Sequence, residues 1–337
     1  MPQAFPDSAE NLTEADIVLS NKNNSDILKL INKHSTNHNR IVNIIKHKSG
    51  DEFEKCNIEH FSERIRAFVK IEDGCDRFCS YCIIPMSRGR VRSKSLEDLK
   101  KEIKVLADNG IKEIVLVGIN LSSYGKGQGF NLVDAVKICN EADGILRVRL
   151  GSLEPDHITD DIIKGLANCS KLCPQFHISL QSGCDRTLKN MNRHYDSNEY
   201  SELCKSLRNR FKDASITTDV MVGFNDESED DFEESLNFVK KIGFEKVHVF
   251  PYSERVGTAA SKRGDNVAKR EKEKRAAIMI DAAQKIRTEY FESIVGKSFD
   301  VLFENEISEG IFQGYTKNYI PVRYKSNENL IGKEIKV

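Results

Sequence analysis

The sequence predicts an α/β protein whose centre is a partial (βα)6 barrel, with a short α/β segment before it and a small all-β module after it. From about residue 65, apolar runs rich in β-formers alternate with segments of helical periodicity. Parallel strands need helical crossovers, so this alternation indicates a parallel sheet. Six strands are too few for an eight-unit barrel, and a doubly wound sheet stays open as the alternative. Either fold puts its reactive groups at the carboxyl ends of the strands.

Each element of the barrel is predicted from its own pattern. The predicted strands are 67–71, 113–117, 146–150, 175–180, 216–222 and 246–251. The predicted helices are 96–106, 162–166, 185–191, 200–211, 232–239 and 266–292. The first of these helices ends at Asn109-Gly110, a sequence typical of a left-handed cap.

The two ends of the chain differ from this body, which predicts three domains: 1–60, 61–292 and 293–337. Near the start, residues 16–19 suggest a short strand and 25–31 a capped helix, while the polar stretch 32–63 is typical of a linker. After Gly296 the predicted strands are 298–303, 310–314, 319–323 and 330–337.

Composition narrows the function classes. Of 337 residues, 39% are apolar and 31% charged, with a formal net charge of −1, as in ordinary soluble globular proteins. No apolar run is long enough to span a membrane, and the first residues lack a secretory signal. Because the net charge is near zero, nucleic-acid binding would need local basic patches.

The nine cysteines, an odd number, favour reduced thiols or metal ligands over a disulfide framework.

The strongest chemical pattern is a cysteine loop directly after the first barrel strand. Cys75, Cys79 and Cys82 have C-x3-C-x2-C spacing, so one loop can bring three thiolates to one metal centre. An iron–sulfur cluster held this way keeps one iron free for a substrate or cofactor. A zinc knuckle is the alternative, but no fourth Cys or His follows within about fifty residues. Tyr81, next to the third cysteine, suits packing against a purine.

This loop resembles that of the radical S-adenosylmethionine (SAM) superfamily, and further motifs resemble its methylthiotransferases. These motifs are Asp73-Gly74-Cys75, Ile83-Ile84-Pro85, Arg88-Gly89-Arg90, Gly118-Ile119-Asn120, Ser152-Leu153-Glu154-Pro155, Leu180-Gln181-Ser182-Gly183 and Met191-Asn192-Arg193. The segment Val247-His248-Val249-Phe250-Pro251-Tyr252-Ser253 resembles the branch that acts on threonylcarbamoyladenosine in tRNA.

The resemblance implies a transferase that methylthiolates C2 of N6-threonylcarbamoyladenosine, next to the anticodon of tRNA. It implies a [4Fe-4S] cluster, SAM as methyl donor and radical source, and an electron donor such as a flavodoxin or ferredoxin. A carbon radical made from a cofactor suits an unactivated aromatic C–H bond, on which acid–base catalysis has little effect. A reducing cytoplasm suits thiolates and tRNA alike.

The resemblance also implies roles for individual residues. Cys75, Cys79 and Cys82 would ligate the cluster and so form the catalytic centre. The residues expected to bind the cofactor are Tyr81, Gly118, Asn120, Ser152, Glu154, Gln181 and Arg193. For RNA binding the candidates are Arg88, Arg90 and Arg92, together with Tyr315 and Tyr319 of a C-terminal module that resembles the TRAM domain. Each polar residue also has a plain structural interpretation, as a helix cap, a surface ion pair or a core tyrosine.

The start of the chain departs from the family pattern. Family members carry an N-terminal domain with three cysteines for a second cluster, and residues 1–6 resemble the stretch after the third of them. We therefore expect a truncated chain or a misplaced start, with Cys56 matching none of these ligands. As written, the chain is expected to bind one cluster and not to insert sulfur.

Three other functions stay open from the sequence. Two are sister activities, on isopentenyladenosine in tRNA or on an aspartate of a ribosomal protein. The third is a non-catalytic RNA-binding protein whose cysteines hold a structural metal ion.

Overall fold

The computed structural model describes residues 2–22, 24–54 and 65–337. Its strands are β1 (Ile17–Leu19), β2 (Ile41–Asn43), β3 (Arg66–Lys70), β4 (Glu72–Asp73), β5 (Arg92–Ser93), β6 (Glu113–Val117), β7 (Arg147–Leu150), β8 (Ser152–Leu153), β9 (Gln175–Ile178), β10 (Ser215–Val222), β11 (Lys246–Pro251), β12 (Asp300–Ser308), β13 (Ile311–Thr316), β14 (Pro321–Lys325) and β15 (Glu334–Lys336). Its α-helices are α1 (Ile27–Asn37), α2 (Ile84–Arg88), α3 (Leu96–Asp108), α4 (Leu132–Glu141), α5 (Asp160–Ala167), α6 (Asp185–Asn190), α7 (Ser197–Arg210), α8 (Glu229–Ile242) and α9 (Lys269–Ile294).

The barrel strands are parallel and follow one another in chain order. One sheet has the order β3-β6-β7, and the other runs from β8 through β9 and β10 to β11. Gly151 alone separates β7 from β8, so the chain passes from the first sheet into the second at that point. A doubly wound sheet would reverse its order at a switch point. The sequential order instead confirms the predicted α/β fold with a partial barrel.

Apolar residues on the outer faces of these strands form the main core with the surrounding helices. Ile114, Val148 and Phe176 are among its fully buried side chains. Several helices begin at a side chain that accepts a hydrogen bond from the first turn, as Ser95 does for α3 and Ser228 for α8. All six predicted strands and six predicted helices are present, and α4 is one that the periodicity did not single out.

The N-terminal segment is a small βαβ unit. β1 and β2 pair in parallel, with Ile17 opposite Ile41, and α1 connects them. The prediction of a linker over 32–63 is therefore wrong for its first part, which contains the end of α1 and the short strand β2. Its many Asn and Lys residues gave no clear helix or strand pattern. Cys56 and the predicted domain boundary at residue 60 lie outside the described residues, so that boundary stays a prediction.

The C-terminal module is an antiparallel sheet with the order β14-β13-β12-β15. It covers the amino-terminal ends of the barrel strands. Arg147, the first residue of β7, is completely buried and donates to Glu334, to the carbonyl of Tyr315 and to the carbonyl of Asp300 at 2.5, 2.6 and 2.9 Å. The module thus closes the end of the barrel opposite the strand ends that carry the cysteine loop.

No helix in the described part of the chain is both long enough and apolar enough to cross a membrane.

Candidate metal centre

The cysteine loop lies between β4 and α2, at the carboxyl end of the first barrel strand. Backbone hydrogen bonds fix it: the amide of Cys75 donates to the carbonyl of Gly89 at 3.0 Å, and that of Cys82 to Cys79 at 2.9 Å. At Gly74, φ is +88° and a β-carbon would lie 2.0 Å from the carbonyl oxygen of Arg90. Only glycine fits there, which explains the residue directly before the first cysteine. Backbone contacts of the fold therefore fix the position of the cysteine loop.

The three thiols are suited to a multi-metal cluster. Cys75, Cys79 and Cys82 are free and partly exposed. No fourth Cys or His follows within about fifty residues of the loop, and three thiolates leave one iron of a cluster without a protein ligand. The ligand set therefore favours a cluster over a zinc knuckle.

Burial favours the protonated form of two of the three thiols, Cys75 and Cys82. Burial raises the pKa of the Cys75 thiol to about 11, and the neighbouring Cys79 and Cys82 raise it further. Burial also raises the pKa of Cys82. A metal centre reverses this balance, because its positive charge stabilises bound thiolate. These residues fit a cationic iron–sulfur group.

Two arginines and a glutamate form a charged network against the loop. Buried Arg193 lies with its Nη1 atom 3.2 Å from the Sγ atom of Cys79 and forms an ion pair with Glu154. Arg77, within the cysteine loop, forms an ion pair with Asp156 and lies 3.9 Å from Glu154. Burial raises the pKa of Glu154, and Arg193 and Arg77 oppose that rise. A carboxylate and a guanidinium are thus held beside the sulfur atoms.

Unpaired buried oxygens beside Cys75 mark a place for a ligand that donates hydrogen bonds. The Oε1 atom of Glu72 and the Oδ1 atom of Asn120 are buried, and within the described chain neither has a hydrogen-bond partner. The amide group of Asn120 also lies 3.8 Å from the Sγ atom of Cys75. Buried acceptors are rarely left unsatisfied, so a ligand with ammonium or hydroxyl groups fits this position.

The turn that carries these atoms is packed against Glu72. The backbone amide of Asn120 donates to the Oε2 atom of Glu72 at 2.7 Å. A β-carbon at Gly118 would lie 2.6 Å from the same oxygen, so glycine is needed there. Gly118 and Asn120 therefore lie where the sequence predicts, close to the first cysteine.

Three further residues are predicted to bind the cofactor. They lie within the cysteine loop, just after β7 and after β9. Tyr81 packs edge-to-face against Phe224, 6.1 Å between ring centres, so one side of its ring already contacts protein. Ser152 is exposed at the start of β8. Gln181 follows β9 in a left-handed conformation, and its backbone amide donates to the backbone carbonyl of Asp219. Their roles in cofactor binding stay predictions.

The basic run beside the loop divides into buried and exposed members. Arg92 is 8% exposed, forms an ion pair with Asp73 and donates to two backbone carbonyls. In the structure its donors hold the loop, so a contact of Arg92 with a tRNA phosphate stays a prediction. Arg88 is partly exposed, and exposed Arg90 lies over the ring of Phe78 at 4.8 Å. These two remain candidates for RNA.

Tyr315 and Tyr319 lie at the contact between the module and the barrel. Their rings stack on each other, 4.7 Å between centres. Arg66 lies over both rings and Arg149 over Tyr319 at 4.4 Å. The structure places them near the amino ends of the strands and does not bring them to the cysteine loop. Tyr319 keeps 36% of its surface exposed, so base stacking there stays a prediction.

Two residues of the site, Glu72 and Arg77, were not predicted from the sequence. Glu72 lies three residues before the first cysteine, which was a usable signal. Arg77 lies inside the cysteine loop. Its Nη1 atom also approaches ring nitrogens of His157 and His194, at 3.4 and 3.3 Å, so it joins three segments that are distant in sequence.

Glu72 gives a testable pH dependence of stability. Burial raises its pKa to about 8 from an ordinary value of 4.5. The folded chain then holds this proton to higher pH than the unfolded chain, so the free energy of unfolding falls as pH rises from about 4.5 to about 8. Glu72→Gln keeps an acceptor for Asn120 but cannot ionise. We expect its stability relative to wild type to grow by about 2 kcal/mol between pH 6 and pH 8.

Urea unfolding at the two pH values measures this difference, with exposed Glu328→Gln as the matched control. Parallel pH profiles for wild type and Glu72→Gln would show that Glu72 is ionised in the folded protein.

Comparisons with known proteins agree with this geometry. Residues 69–239 match the model of the Radical SAM superfamily. The chain is 37% identical over 326 residues to the threonylcarbamoyladenosine tRNA methylthiotransferase MtaB of Thermotoga maritima, covering 96% of this chain and 74% of that protein. It is 36% identical over 277 residues to the tRNA-2-methylthio-N(6)-dimethylallyladenosine synthase of Acetivibrio thermocellus, covering 81% and 58%. Coproporphyrinogen III oxidase (HemN) of Escherichia coli, a radical SAM enzyme, has a similar fold with TM-score 0.50 and 15% identity, covering 68% of this chain and 54% of that one.

Proposed function

The chain belongs to the radical SAM superfamily and, within it, to the tRNA methylthiotransferases, and from this membership we propose that it methylthiolates C2 of N6-threonylcarbamoyladenosine in tRNA. The observation that carries the proposal is the cysteine loop at the carboxyl ends of a partial barrel, in a chain similar over 96% of its length to an enzyme named for this substrate.

Different residues of the chain would hold the [4Fe-4S] cluster and SAM. Cys75, Cys79 and Cys82 would ligate one [4Fe-4S] cluster, and the unpaired oxygens of Asn120 and, once its carboxyl group has released its proton, of Glu72 would accept hydrogen bonds from the amino group of SAM. When bound, the cluster and SAM together supply the carbon radical that breaks a C–H bond which acid–base catalysis cannot.

Protein groups around the loop position these cofactors and keep water out. Arg193 suits the carboxylate of SAM, since a guanidinium can form paired hydrogen bonds with one. In the structure Arg193 pairs with Glu154 and approaches Cys79, so binding of SAM would exchange one carboxylate partner for another. Glu154 would then be free to accept from a ribose hydroxyl.

Two arginines beside the cysteine loop suit a macromolecular substrate, and the cluster would need electrons from another protein. Arg88 and Arg90 lie beside the loop and would contact tRNA phosphates. We propose that a small flavodoxin or ferredoxin reduces the cluster, and that the protein works in the cytoplasm, where its tRNA substrate is found.

We further propose that the described cysteine loop holds one cluster, which serves the radical step, whereas the sulfur for methylthiolation would come from the second cluster that the family resemblance implies. Iron and sulfide analysis after anaerobic reconstitution should give about four of each per chain, and about eight irons would contradict a single cluster.

Analysis of tRNA nucleosides tests the substrate. A strain of the source organism without the gene should lack 2-methylthio-N6-threonylcarbamoyladenosine and accumulate the unmodified precursor, and the wild-type gene should restore it. Cys169→Ala, a substitution of a thiol outside the loop, is the matched control for Cys79→Ala in complementation. Unchanged product in the deletion strain would contradict the proposal. Loss of the dimethylallyl product instead would identify the sister tRNA activity.

A further inference from the structure

A second group of possible ligands lies on three adjacent strands of the barrel, apart from the cysteine loop. His177 is on β9, Asp219 on β10 and His248 on β11. Thr217 is paired with His177, and Asp219 with His248. Residues two apart on a strand share a face, so Asp219 lies on the same face of the sheet as its neighbour Thr217. The register therefore brings all three side chains together on one face.

This face is the one turned away from the apolar core. The alternate residues Phe176, Ile216 and Val220 are buried in the main core, whereas His177, Asp219 and His248 are each only partly buried. A dissolved ion can therefore reach the three polar side chains.

The donor atoms are close enough to share one ion. One ligand atom from each of the three residues lies within 4.8 Å of the other two. The Nε2 atom of His177 is 3.2 Å from the Oδ2 atom of Asp219. A tetrahedral ion with ligands at ~2.0–2.1 Å places its donors about 3.4 Å apart. The ring centres of His177 and His248 are 5.8 Å apart.

A hydrogen-bond chain orients the first histidine for this purpose. The Nδ1 atom of His177 lies 3.0 Å from the hydroxyl of Thr217, which leaves its Nε2 atom directed at Asp219. Gln175 donates to the same hydroxyl at 3.4 Å, and Arg149 in turn donates to Gln175 at 3.3 Å. Histidines that bind metal ions usually have their other ring nitrogen held in this way.

We propose that His177, Asp219 and His248 bind one divalent transition-metal ion, with zinc(II) as its representative. Two imidazoles and one carboxylate favour such an ion over magnesium or calcium, which prefer all-oxygen sites. Three protein ligands leave at least one position of a tetrahedral ion open for water or for a carboxylate from outside. This site is separate from the cysteine loop and does not depend on the proposed function.

Zinc binding by the reconstituted, cluster-loaded protein tests the proposal. After equilibration with zinc and removal of excess metal, wild type should retain about one zinc more per chain than Asp219→Asn or His248→Ala. His38→Asn, a substitution at an exposed histidine with a left-handed backbone, should retain the wild-type amount. Unchanged far-ultraviolet circular dichroism and cluster absorption in the variants would show that they fold.

X-ray absorption at the zinc edge then identifies the ligands. The proposal expects nitrogen and oxygen neighbours only, with imidazole scattering. Sulfur neighbours would place the zinc at cysteines, and equal zinc content in wild type and both site variants would place it elsewhere. Either result, or no retained zinc in wild type, overturns the proposal.

Discussion

Cys79→Ala is expected to abolish cluster binding, with iron and sulfide falling from about four per chain to near zero. Two thiolates cannot hold a cubane cluster that already lacks a fourth protein ligand. Arg193 would also lose the sulfur atom that its guanidinium approaches at 3.2 Å. Iron and sulfide analysis and the visible absorption of reconstituted protein measure the effect, and cofactor-dependent activity should be lost together with the cluster.

The matched control is Cys169→Ala, which removes a buried thiol far from the loop and should leave the cluster intact. Retention of wild-type iron by Cys79→Ala would remove Cys79 from the ligand set.

The second large effect is expected at the contact between the barrel and the C-terminal module. Arg147→Met removes a fully buried guanidinium and leaves Glu334 and two backbone carbonyls without their donor. Breaking a buried ion pair from one side typically costs about 3–5 kcal/mol, so urea unfolding should show a loss of that size. Arg147→Lys should recover little of it, because an ammonium cannot direct donors to three separate acceptors in one plane.

Arg323→Met is the control for this contact. It removes a guanidinium of the module that is exposed, and its stability should stay within about 0.5 kcal/mol of wild type. Equal stability of Arg147→Met and Arg323→Met would show that the contacts of Arg147 with the module contribute nothing measurable to stability.

The barrel could be predicted because its strands and helices have strong local patterns. Short runs rich in apolar and β-branched residues, as in 113–117 and 246–251, mark the strands. The order of the strands could not be read from the same patterns, since a doubly wound sheet has identical elements. The pairing register in the structure decides between the two folds. The strand Ile41–Asn43 was missed because three residues carry too little periodicity to stand out.

The cysteines of the candidate site could be predicted, because their spacing along the chain is itself the signal. The sequence does not distinguish Arg92 from its neighbours, because a run of arginines does not show which side chains face solvent and which, like Arg92, donate to backbone carbonyls. The group of His177, Asp219 and His248 joins positions more than twenty residues apart, so only the register of β9, β10 and β11 reveals it. Local periodicity in the sequence carries no information about contacts between distant segments of the chain.

The central claim is that the cysteine loop holds a cluster that activates SAM, and the most direct measurement is SAM cleavage by the reconstituted protein. Under anaerobic conditions with a strong reductant, wild type should release 5′-deoxyadenosine and methionine, Cys169→Ala should match it, and Cys79→Ala should release neither. Wild-type protein carrying four irons per chain, yet releasing no 5′-deoxyadenosine, would contradict the claim.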